Sequence, residues 1–159
     1  METVSIATGG TTQIEAAYRQ IGDRLWRALL AFTGDPEIAS DAVAEAFAQA
    51  LRREAAIRDL QGWVWRTSFR VAAGELKRRR TPSPIAPAVS YVDPEIDSEL
   101  LDALAKLAPK QRVAVILFYY EDAPVREIAR RSGTSQMSVR ANLSRGRKRL
   151  KELLGDRHD

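Results

Sequence analysis

Hydrophobic positions recur at helical intervals along most of this chain. Ile14, Tyr18, Ile21, Leu25 and Leu29 keep steps of three and four, which predicts a first helix with one packed stripe. The stretch "GDPE" (Gly34–Glu37) interrupts it, with Asp35 the expected N-cap of the next helix and Pro36 at its first position. Ala39, Val43, Phe47, Ala50 and Leu51 form the expected inward face of that second helix. Trp65, Phe69, Ala72 and Leu76 do the same for a third. The texture then changes. Four of the seven prolines fall between Thr81 and Pro94, where lost backbone donors and restricted neighbours favour extended chain.

Helical patterning resumes near Glu99 with "ELLDALAKL". The segment "PKQRVAVILFYYED" (Pro109–Asp122) holds eight consecutive apolar residues, Val113 to Tyr120, rich in strand formers. Periodicity does not choose between a buried strand and a buried helix here. Pro109 at a helix start and the helical neighbours on both sides favour the helix. The expected fold class is all-α: two small helical domains joined by an extended linker. The expected boundaries are an N-terminal tail at 1–12, a first domain at 13–80, a linker at 81–98, a second domain at 99–155 and a tail at 156–159.

The last part of the second domain reads as a helix-turn-helix. Ile128 and Ala129 face inward, Gly133 supplies a turn, Ser135 caps the next helix and Val139 locks it against the first. That final helix carries Val139, Leu143, Gly146, Leu150 and Leu153 as a stripe. Between them stand Arg140, Arg145, Arg147, Lys148, Arg149 and Lys151, with no acid before Glu152. This is the charge pattern of a helix that enters a DNA major groove.

Charge distribution sharpens that reading. Residues 1–80 carry 12 basic and 10 acidic side chains, residues 81–98 none and three, and residues 99–159 thirteen and eight, for a total of +4. Basic density therefore gathers at the C-terminal end, as a polyanion partner requires. The third helix has its own basic side, with Trp63, Arg66, Arg70 and Lys77 leading into Arg78, Arg79 and Arg80. An aromatic among arginines suits unstacked bases and phosphates; it equally suits a solvated face with a partly buried tryptophan.

Other chemistry is excluded by composition. Cysteine is absent and the one histidine is the penultimate residue, His158, which removes disulfides, thiolate metal sites and thiol catalysis. No nucleophile–base pair, metal cluster or phosphate-cradling glycine loop is present, so no catalytic residue, metal ligand, cofactor or small-molecule substrate is expected. No apolar run is long enough to cross a bilayer, and no signal pattern opens the chain. Membrane insertion is not expected, and a cytoplasmic location fits.

These motifs together resemble a sigma factor of bacterial RNA polymerase, of the small extracytoplasmic-function group that keeps only the second and fourth conserved regions. "LAPKQRVAVILFYYEDAPVREIARRSGTSQMSVRANLSRGRKRLKELL" is similar to the fourth region. "TGDPEIASDAVAEAFAQALRR" and "WVWRTSFRVAAGELKRRR" resemble the clamp-docking and melting segments of the second. The resemblance implies core RNA polymerase and promoter DNA as partners, promoter-directed initiation as the function and no enzyme activity; it leaves an anti-sigma factor open as a further partner. It places Asp41, Val43, Glu45, Phe47 and Arg52 in the polymerase-binding segment, with Val43 and Phe47 readable as core instead. Trp63, Arg66, Arg70, Gly74, Lys77 and Arg78 fall in the minus-ten segment. Gln136, Ser138, Arg140, Ala141, Ser144 and Arg145 fall where the family meets the minus-thirty-five element, and Arg147 and Lys148 are expected on phosphates.

The chain departs from the family where Arg70 and Gly74 replace the frequent asparagine and aspartate, and where Ala141–Leu143 replace "Ser-Arg-Leu". Gly146 stands where alanine is usual, and is read as a close helix contact. The linker acids Asp93, Glu95 and Asp97 are expected either to ride on a plain spacer or to stand in for RNA phosphates in a polymerase channel. A helix-turn-helix regulator that dimerises through its first half, and a polymerase-binding protein that opens no promoter, remain the alternatives.

Overall fold

Local capping chemistry starts most of the helices. In the computed structural model, which describes residues 2–79 and 97–155 with side chains from residue 13 onward, α1 spans Glu2–Thr33 and α2 spans Pro36–Arg53. Asp35 caps α2: its Oδ1 accepts from the Glu37 N–H at 2.9 Å and the Ile38 N–H at 3.3 Å. A 3-10 turn at Glu54–Ala56 leads to α3, Leu60–Arg78, which Asp59 caps through the Gly62 N–H at 3.2 Å. Asp97 caps α4, Ser98–Ala105, and Pro109 opens α5, Pro109–Tyr119. The last two helices are α6, Val125–Ser132, and α7, Gln136–Leu154. No strand occurs among the described residues.

The ambiguous run Val113–Tyr120 is thus largely helical. Val113 to Leu117 are all buried, so an unbroken apolar run is what a helix surrounded on most sides needs. Backbone helix continues to Glu2, where a tail was expected; no proline intervenes to stop it. The linker expected over 81–98 lies outside the described residues as far as residue 96, with Asp93 and Glu95. Its last acid, Asp97, accepts from the Glu99 N–H at 3.0 Å. Arg80 and the C-terminal tail at 156–159 also lie outside.

Helices α1, α2 and α3 pack around Leu25, Leu29, Ala39, Trp65 and Ala72; α5, α6 and α7 pack around Leu117, Ile128, Val139 and Leu143. Two residues of the expected inward stripes are in fact outside. Tyr18 is 55% and Leu51 49% exposed. Adjacent pairs face inward earlier in α2, at Ile38–Ala39, Ala42–Val43 and Ala46–Phe47, but near the end of the helix only Ala50 of the Ala50–Leu51 pair is buried.

The two units also touch. α3 packs on α6, and α1 packs on α4 and α5. Arg112 on α5 is buried and donates to the carbonyls of Phe32 at 2.9 Å, Leu107 at 2.9 Å and Ala105 at 3.1 Å, with its guanidinium 4.9 Å from the Phe32 ring. Burial pushes its pKa down. Phe32 belongs to the first unit, so one side chain ties both together.

Candidate nucleic-acid interface

The turn between α6 and α7 is built as its sequence dictates. Gly133 adopts φ 72°, a left-handed conformation that costs glycine little, and returns its N–H to the Ala129 carbonyl at 2.9 Å. Ser135 then caps α7 by accepting from the Ser138 N–H at 3.1 Å. Val139, Leu143 and Gly146 are buried, which fixes the rotation of the helix. A Cβ on Gly146 would stand 2.7 Å from Val115 Cγ2, so glycine here permits the close approach of α7 to α5.

With that side anchored, Gln136, Ser138, Arg140, Ser144, Arg145 and Lys148 are exposed and Ala141 is half-buried. Arg140, Arg145 and Lys148 make no ion pair or side-chain hydrogen bond among the described residues. Their charge is uncompensated and points outward. Arg147 behaves differently. Its Nε donates to the Tyr119 hydroxyl at 2.6 Å and its guanidinium lies 4.6 Å from the Phe118 ring, so it braces α7 on α5 instead of standing free for a phosphate.

The basic side of α3 is only partly open. Arg70, Gly74, Lys77 and Arg78 are exposed, with Arg78 paired to Glu75, while Trp63 is half-buried against the core. A Cβ on Gly74 would meet nothing within 4 Å, so no close approach within the described residues explains that glycine. Arg66 donates to the Arg130 carbonyl at 2.8 Å, and a Cβ on Gly133 would lie 3.0 Å from Arg66 Cδ. The helix-turn-helix therefore covers the start of α3.

Ionic contacts hold that cover in place. Arg130 grips the Asp59 carboxylate through Nε at 2.8 Å and through a second guanidinium nitrogen. This pairing holds the Asp59 carboxyl below its ordinary range and raises Arg130. Arg131 lies 4.6 Å from the ring of buried Trp65 and donates to Glu121 at 2.9 Å. Arg24 on α1 meets the same Glu121 at 2.6 Å.

In α2, Asp41 and Arg52 are exposed, and Glu45 accepts from Gln49 at 2.7 Å and from Arg52 at 3.3 Å. Val43 and Phe47 are core residues, each 7% exposed. The accessible apolar surface beside these charges is instead Tyr18, packed edge-on to Phe47 at 5.1 Å, together with Leu51.

Residues 97–150 match the family model for sigma-70 region 4. The chain is 31% identical over 160 aligned residues to a Mycobacterium tuberculosis protein named "Probable ECF RNA polymerase sigma factor SigI", the match covering 87% of this chain and 54% of that protein. It is 38% identical over 79 residues to the RNA polymerase sigma factor CarQ of Myxococcus xanthus, covering 50% of this chain and 45% of CarQ. Residues 97–150 are therefore similar to sigma-70 region 4, and the relatives that the chain matches are named RNA polymerase sigma factors. The chain spans about half the length of these relatives. Among solved structures, CnrH, in complex with the cytosolic domain of CnrY, aligns with TM-score 0.73 and 19% identity over 95% of this chain and 93% of CnrH. RpoE of Bartonella quintana, in complex with NepR, aligns with TM-score 0.70 and 19% identity over 91% of this chain and 99% of RpoE.

The region 4-like part is the one whose local chemistry was readable: Gly133, Ser135 and the buried stripe of α7 stand in one short stretch. What sequence reasoning missed is the contact of region 4 with the first unit, through Arg112, Arg130 and Arg131. The one local signal for it was a basic residue, Arg112, heading a run of eight apolar ones.

Proposed function

We propose that the chain is a dissociable initiation subunit that binds core RNA polymerase, directs it to particular promoters and helps to open the DNA. The observation that carries this reading is α7, whose Arg140, Arg145 and Lys148 face outward with no partner among the described residues. Uncompensated cations on a capped, rotationally fixed helix suit entry into a major groove. In this reading Arg140 and Arg145 meet base edges, with Gln136, Ser138, Ala141 and Ser144 beside them, and Lys148 meets phosphate. The open part of α3, Arg70, Gly74, Lys77 and Arg78, with half-buried Trp63 and Arg66 at its covered start, meets the minus-ten element. Asp41, Glu45 and Arg52, with Tyr18 and Leu51, form the polymerase-docking surface. The protein then acts in the cytoplasm, with no catalytic residues or cofactor of its own. By analogy with RpoE and CnrH, which are solved with NepR and CnrY, an anti-sigma factor is a third partner.

Run-off transcription with core polymerase tests the proposal. Promoter-specific transcripts that vanish when the chain is omitted support it; promoter binding without any transcript refutes it. Reversing Asp41 and Glu45 together should abolish capture of core polymerase, and undiminished capture removes α2 from the docking surface. A second reading, a protein that occupies polymerase without opening promoters, is favoured by the covered start of α3. It predicts polymerase capture with no transcript from any promoter.

A further inference from the structure

Four large apolar side chains stand exposed among the described residues: Tyr18, Leu51, Tyr119 and Met137. Tyr18 leans on Phe47, Leu51 sits one helical turn beyond Phe47, and the Tyr119 hydroxyl is taken by Arg147. Met137 is the most open of the four, at 80%. It lies in the first turn of α7, and the outward residues Arg140, Ala141 and Ser144 follow it at three, four and seven positions, on one helical face. Buried Val139, Leu143 and Gly146 hold the opposite side against α5 and α6, so Met137 cannot turn inward. Met137 and Ala141 thus form a short apolar strip at the middle of the outward face. Arg140 flanks it on one side and Arg145 on the other.

A major groove offers such a strip one matching feature. Phosphates and base edges ask for charge or hydrogen bonds, and a thioether provides neither well; the C5-methyl group of thymine is the apolar element. The first residues of a recognition helix are also the ones that reach base edges, and an unbranched, flexible methionine adapts to a methyl without exact register. We propose that Met137 is a specificity-determining residue that packs on a thymine methyl in the upstream promoter element. This rests on the DNA-reading part of the proposed function and not on its polymerase part.

The test begins with duplexes selected from a random library by the full chain, alone and with core polymerase. Each thymine of the selected element is then replaced by uracil, which deletes only the methyl. At one position this should weaken binding by the wild-type chain about fourfold, the worth of one buried carbon. The same replacement should leave binding by Met137→Ala unchanged, while Met137→Leu should keep most of the sensitivity. Thermal unfolding of Met137→Ala should match the parent, since so exposed a side chain contributes little packing. The proposal is overturned if no thymine methyl matters, if uracil weakens parent and variant equally, or if Met137→Ala weakens every duplex alike. Failure to enrich any sequence would overturn the DNA-reading itself. Enrichment without promoter-specific transcription would remove the polymerase reading and leave Met137 in place.

Discussion

Helices α3 and α7 have the same length, 19 residues, and both carry a basic outer side, yet they are in different conditions. On α7 the cations Arg140, Arg145 and Lys148 stand open and unpaired among the described residues. On α3 the first outward arginine, Arg66, is taken by the Arg130 carbonyl, and α6 lies across the helix start. Positive charge on a helix therefore does not by itself make a nucleic-acid surface. What decides is whether a neighbouring helix has already claimed the groups that would do the binding.

The largest effect that bears on this difference is expected at Arg112. Arg112→Ala deletes donors to three carbonyls, and hydrogen bonds from a charged group contribute about 1.5–3 kcal/mol each. A loss of about 3 kcal/mol or more in urea denaturation is expected. Little of it should return in Arg112→Lys, whose single ammonium lacks the planar fork. A neutral Arg112→Ala would mean that the contact of α1 with α5 does not hold the units together.

Beyond the first turn, where α3 also has Gly62, each of the two helices has one glycine, Gly74 in α3 and Gly146 in α7, and these should respond oppositely. Gly146→Ala forces a Cβ against Val115 Cγ2 at 2.7 Å, where Val115 is itself buried, and should cost about 1–3 kcal/mol. Gly74→Ala meets nothing and should stabilise by about 0.5–1 kcal/mol. Unfolding midpoints of the two variants check both signs. A destabilised Gly74→Ala would show that α3 needs glycine there for a reason other than space.

The smallest expected effect is at the ionic cover. Asp59→Asn preserves the side-chain oxygen that caps α3 but removes the charge that Arg130 holds. Each partner is 38% exposed, so a loss of under about 1 kcal/mol is expected. Because the Asp59 carboxyl is held below its ordinary value, this contribution is fully present above about pH 4 and is lost as pH falls through the lowered value. The parent should lose stability over that range slightly more than Asp59→Asn does. Identical acid limbs for the two would show that the pair contributes nothing.

Much of the fold was legible because its signals are local. Asp35 and Pro36 declare the start of α2, and Gly133 with Ser135 declares the turn before α7, each through groups a few residues apart. The contacts that distinguish α3 from α7 were not legible. Arg130 and Arg131 sit on a helix whose own Glu127 already balances them as i, i+3 and i, i+4 pairs, so nothing nearby marks Asp59 or Trp65 as their further partners. Arg147 likewise reads as one cation among six in α7 until Phe118 and Tyr119 are seen beside it. Tyr18 and Leu51 fit the apolar stripes in spacing, and only the packing of α1 on α2 shows that the stripe is narrower than the pattern.

The burial of Arg112 has a mechanical consequence. Along α1, Arg24 and Phe32 are eight positions apart, about 12 Å at 1.5 Å per residue, and they meet opposite ends of the α5 region, at Glu121 and Arg112. At the Arg24 and Asp59 end the Arg130–Asp59 pair is 38% exposed on each side, where dissolved ions screen it, whereas Glu121 is only 5% exposed and is screened much less. The Phe32 end is joined by a desolvated guanidinium on neutral carbonyls, which screening and mild acid leave untouched. Rising ionic strength should therefore loosen the seam first at Arg130 and Asp59, with Arg112 the last fastening to let go.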